Sequence, residues 1–275
     1  MSDLPRDMEE EVLCRIPGTS LGPIPSTCKS PKDHSSLLVW NPYRGCGQPR
    51  WIEHTHNHHK VDKHLYGHLD KYMYGLRYDS SRSYKVLRFI DYLPNFIEFK
   101  IYDFNSDLWR IILDLLPPRD WRISFDERGL SIKGNTYWFA SSETRNSFLV
   151  CFDLTRETFW SPLPLPFEAF PDQDTLSLST SVSEQLVVLF QMMEIWISTT
   201  IEQSTAVFWN TKVFLSANIK QLADPLWQFW PSACFFIDEE KKVAVVFDKN
   251  NHMGDPTHEV AYIFGVDGSL KQEVV

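Results

Sequence analysis

At 275 residues, 43% of them hydrophobic and 23% charged, the chain can bury a sizeable core as one large domain, or as one domain with a short appendage. Its formal charge of −9 and pI near 5.5 argue against non-specific binding to nucleic acid or to an acidic membrane. The summed field repels phosphate, and no Lys/Arg cluster offsets it.

The N-terminus, MSDLPRDMEEEV, is acidic and has no apolar h-region, so no signal peptide is expected. No apolar run reaches the length needed to span a bilayer. Met8, Val12, Leu13 and Ile16 then follow at helical spacing. Asp7, Glu9, Glu10 and Glu11 fall in the first turns, where the helix dipole favours carboxylates, and Pro17 and Gly18 stop the helix. Such a helix either packs on its own domain or offers its stripe to a partner. A second helical start, capped by Thr19, meets Pro23 and Pro25. An interior proline costs about 3 kcal/mol, more than a short helix absorbs.

From Ser36 onward the pattern changes to strands, in keeping with ten Trp and a supply of Val, Ile and Phe. One unit recurs: an apolar strand, often ending in Asp or Asn, a polar turn, and a strand marked by Trp. Its copies are LLVWNPYRGCGQPRW (37–51), FKIYDFNSDLW (99–109), FLVCFDLTRETFW (148–160) and MEIWISTTIEQSTAVFW (193–209), with VAYIFGVDGSLKQEV (260–274) lacking the Trp. A second hairpin precedes all but the first: YGLRYDSSRSYKVLRFI (74–90), GLSIKGNTYWFA (129–140), LSLSTSVSEQLVVLF (176–190) and CFFIDEEKKVAVVFD (234–248). Pairs such as Gly134-Asn135 mark the bends, and Asp103 and Asp153 recur at one repeat position as turn-formers.

Two hairpins make a four-stranded sheet, repeating about every 45 to 65 residues, the size of a propeller blade. Blades with apolar faces must stack on one another. The expected fold is mainly β, a propeller-like array of about four and a half blades, incompletely closed, behind a short helical segment. A sandwich is the main rival. The first hairpin lacks an inner partner, so the seam between first and last blades would stay open, lowering stability and favouring self-association.

The segment LPRDMEEEVLCRIPGTSLGPIPSTCK, followed by LLVWNPYRGCGQPRWI and then by GNTYWFA, FLVCFDLTRETF, LPLPF, EQLVVLFQ, MEIWIST and FFIDEEKKVAVVFDK, resembles plant F-box proteins with an F-box-associated domain, the F-box/kelch-repeat type. The resemblance implies an F-box remnant over residues 1–30 and a propeller-like domain over 36–275. It implies a substrate-recognition subunit of an SCF-type ubiquitin ligase, in which the F-box grips a Skp-type adaptor and, through it, a cullin, while the C-terminal domain binds the target. By the same resemblance Leu4, Pro5, Met8, Val12, Leu13, Ile16, Pro17 and Leu21 contact the adaptor. The chain departs from the family's pattern after Lys29, where SPKDHSS replaces a Trp-containing third segment. The alternative is a stand-alone interaction domain no longer coupled to a ligase.

Signatures of catalysis are missing: there is no GxSxG, P-loop, GxGxxG or HExxH. No enzyme activity, cofactor or metal is expected. His54, His56, His58, His59, His64 and His68 cluster in one polar loop, but without nearby cysteines they read as surface residues. The five cysteines (Cys14, Cys28, Cys46, Cys151, Cys234) form no CxxC pair, which fits a reducing cytoplasm or nucleus. Cys151 and Cys234 lie inside strand patterns and are expected to be buried rather than nucleophilic. SPLPLPF (161–167) is read as a connector between blades rather than a ligand for a proline-binding module.

Overall fold

The computed structural model describes residues 36–39, 50–53, 73–78, 84–92, 96–112, 121–123, 129–142, 146–170, 174–181, 183–190, 194–202, 206–210, 214–216, 234–249, 259–265 and 269–274. Regular structure among them is all strand. The first sheet is a hairpin of β1 (Ser36–Val39) and β2 (Arg50–Glu53). The second is an antiparallel meander of β3 (Met73–Tyr78), β4 (Tyr84–Tyr92), β5 (Phe96–Asp103) and β6 (Leu108–Ile111). The third holds β7 (Trp121–Arg122), β8 (Leu130–Ile132), β9 (Asn135–Ser142), β10 (Ser147–Asp153) and β11 (Thr158–Phe159). The fourth holds β12 (Leu176–Thr180), β13 (Leu186–Phe190), β14 (Glu194–Glu202), β15 (Ala206–Trp209) and β16 (Leu215–Ser216). The fifth runs β17 (Cys234–Asp238), β18 (Val243–Lys249), β19 (Glu259–Gly265) and β20 (Leu270–Val274).

Strand neighbours point to opposite faces of a sheet, and here both faces find apolar partners. Val86 packs toward the first sheet with Ile52 and Tyr102. Leu87, next to it, joins Phe89, Trp138 and Phe152 between the second and third sheets. Tyr137 and Trp138 divide in the same way, Tyr137 packing with Leu163 and Val188 between the third and fourth sheets. Val188 and Val187 divide again, Val187 meeting Phe235 and Val246 of the fifth sheet. Each sheet therefore leans on the next, which explains continuous apolar runs such as LVVLF rather than strict alternation. The curled sheets form an arc, an incomplete propeller.

The innermost strands follow one another along this arc, β3 beside β8, β8 beside β12, and β12 beside β17. Small and hydroxylated residues let them approach. A Cβ on Gly75 would lie 2.6 Å from Thr136 Oγ1. Ser179 Oγ donates to the Phe235 carbonyl at 2.6 Å, joining the fourth sheet to the fifth.

The hairpins expected from the sequence are the hairpins found, with two short additions, β7 and β16, that no pattern announced. One bend shifts. Ile132 pairs with Asn135, so the turn residues are Lys133 and Gly134, not Gly134 and Asn135. Their φ values of 49° and 79° give the positive-φ pair that a two-residue hairpin requires. The proline run behaves as the expected connector, and it also extends the third sheet. Leu163 and Leu149 exchange backbone hydrogen bonds at 2.8 and 2.9 Å, and the Ser147 amide donates to the Ala169 carbonyl at 2.8 Å. Pro162 and Pro164 are exposed and carry no N–H, which blunts that sheet edge. Trp209 of the fourth sheet donates its Nε1–H to the Pro164 carbonyl at 3.0 Å.

Candidate protein-interaction surface

Hairpin turns gather at one end of the second, third and fourth sheets, and their local chemistry is repetitive. Asp103 Oδ1 accepts from the Asn105 amide at 2.8 Å, and the Asp107 amide donates to the Asp103 carbonyl at 2.9 Å. Asp153 Oδ1 accepts from the Thr155 and Arg156 amides at 2.8 and 3.1 Å. In the β12–β13 turn Ser181 Oγ takes the same part, accepting from Ser183 and Gln185. These bonds hold Asp107, Glu157 and Glu184 at φ 60°, 57° and 58°, a conformation that costs a non-glycine residue about 1 kcal/mol. Asp103 and Asp153 are thus the turn-formers that the repeat implied.

Charge pairs tie the turns of adjacent sheets together. Glu157, in the third sheet's outer turn, accepts from Lys85 of the second sheet at 3.3 Å and also pairs with Arg110. Lys133 and Glu184 approach to 3.9 Å between the third and fourth sheets. This end is therefore a fixed, polar platform. Sequence reading missed these pairs because sequence distance hides them: Lys85 and Glu157 are 72 residues apart. It also missed two buried cations. Arg88 is 1% exposed and Lys100 4%. Glu98 lies 2.9 Å from Lys100 and 3.8 Å from Arg88, and the Arg88 guanidinium sits 4.8 Å from the Trp109 ring centroid. Both are on the face turned to the first sheet, where an Arg or Lys in a strand pattern would ordinarily be placed in solvent.

Nucleophilic chemistry finds no support in the described residues. Cys151 is fully buried, and burial pushes its thiol well above the usual range, so little thiolate forms. Its cross-strand neighbour Tyr137 is likewise pushed far above the ordinary phenol value, by burial first and then by Cys151. Cys234 is only half-buried, which corrects the expectation of a buried residue. No cluster of three or more His, Cys, Asp or Glu that could hold a metal occurs among the described residues. The six loop histidines, Cys14, Cys28, Cys46, and all eight residues assigned to the adaptor (Leu4, Pro5, Met8, Val12, Leu13, Ile16, Pro17 and Leu21) lie outside the described residues.

Residues 27–274 match the family described as the F-box associated beta propeller domain. The chain belongs to that family. It is similar to a putative F-box protein of Arabidopsis thaliana, At3g24580, at 49% identity over 253 residues, 88% of this chain and 62% of the relative. The Arabidopsis F-box protein At3g19470 is 50% identical over 247 residues, 86% of this chain and 59% of the relative. An Arabidopsis F-box/kelch-repeat protein, At3g16740, is 42% identical over 266 residues, 88% of this chain and 64% of the relative. The chain thus spans about three fifths of the length of the curated relatives it matches. The stacked antiparallel sheets of the described residues, an incomplete propeller, accord with a family described as a propeller domain.

Proposed function

We propose that this F-box associated propeller chain is a non-enzymatic substrate-recognition subunit of an SCF-type ubiquitin ligase, working in the cytoplasm or nucleus. Its N-terminal segment docks on a Skp-type adaptor and, through it, a cullin, and the propeller-like domain binds the target protein. The observation that carries this reading is the family match over residues 27–274, together with relatives named as F-box proteins. Apolar anchors at helical spacing, Met8, Val12, Leu13 and Ile16, suit a groove-binding helix.

The test is co-purification with a plant Skp-type adaptor, comparing wild type with Leu13→Asp. Capture that is lost on substitution supports the ligase reading. Absence of capture in both favours a stand-alone interaction domain, a reading supported by Pro23 and Pro25 within the second helical segment.

A further inference from the structure

We draw no further inference here: the strongest candidate, the partly exposed apolar face of Phe236, Val245, Phe247 and Ile263 on the fifth sheet, carries none because nothing in the structure shows what covers it.

Discussion

The Trp138 side of the third sheet and the Phe236 side of the fifth are built from the same kinds of residue in the same kind of strand, yet their surroundings differ. Trp138 is fully buried, edge-on to Phe89 with ring centroids 5.1 Å apart. Phe236 is 46% exposed. Sequence chemistry is alike, so the difference lies in position along the arc: an inner sheet has neighbours on both sides, while the fifth has the fourth on one side only among the described residues. Similar residues thus end buried or exposed according to which described sheets lie beside them.

The sharpest way to break this comparison is to truncate both aromatics. Trp138→Ala should cost about 3–5 kcal/mol in urea unfolding, since removing the indole leaves a cavity between two packed sheets. Phe236→Ala should cost less than about 1 kcal/mol, as expected for a surface position. Equal costs would mean that the two faces are equally filled. A methyl added beside the indole sharpens the same point. A Cβ on Gly129 would stand 2.3 Å from Trp138 Nε1, and neither the rigid ring nor the backbone can yield cheaply. Gly129→Ala should destabilise by about 1–3 kcal/mol through overpacking. A neutral result would show this interface to be loose.

Ion pairs between turns should matter less than either packing change. Glu157 meets Lys85 and Arg110, with side-chain exposures of 20%, 19% and 48%, so salt and water screen the pairs in part. Glu157→Gln should cost about 1 kcal/mol at low ionic strength, and the difference should shrink in 1 M salt. A cost that ignores salt would assign Glu157's contribution to its hydrogen bonds with Lys85 and Arg110 rather than to its charge.

Much of this arrangement is legible in the sequence, because the devices that make hairpins are local. Polar turns flanked by apolar strands identify β8–β9, β12–β13 and β17–β18 without any knowledge of sheet order. What stayed hidden depends on contacts distant in sequence. The two-residue strand β7 pairs with β9 over only Trp121–Ser142 and Arg122–Ser141, too short for any periodicity. Arg88 and Lys100 sit in a buried layer because the first sheet covers that side, and nothing in YKVLRFI reports such a cover. The shifted bend at Lys133 shows a subtler gap, since the positive φ fell on a lysine ahead of the glycine rather than on the asparagine after it. The stripe Met8, Val12, Leu13 and Ile16 rests on helical spacing alone, and the adaptor contact on resemblance; both lie outside the described residues.

The smallest effect expected is at Asp238, in the β17–β18 turn. Its carboxylate accepts from the Lys241 amide at 2.9 Å, and that bond, followed by the Lys241 side chain, holds it below the usual carboxylate value despite slight desolvation. A carboxyl whose folded pKa is depressed adds stability that is fully present above its unfolded value of about 3.9 and is lost as pH falls through the folded one. The stability gap between wild type and Asp238→Asn should therefore be constant from pH 7 down to about pH 5 and close below about pH 4. The asparagine carbonyl can still accept from the Lys241 amide, so what closes is the charge-dependent part of the turn. Paired urea titrations at pH 7, 5 and 3.5 read this directly. A gap that widens on acidification would mean that repulsion from Glu239 and Glu240, and not the Lys241 contact, governs this turn beside the exposed face.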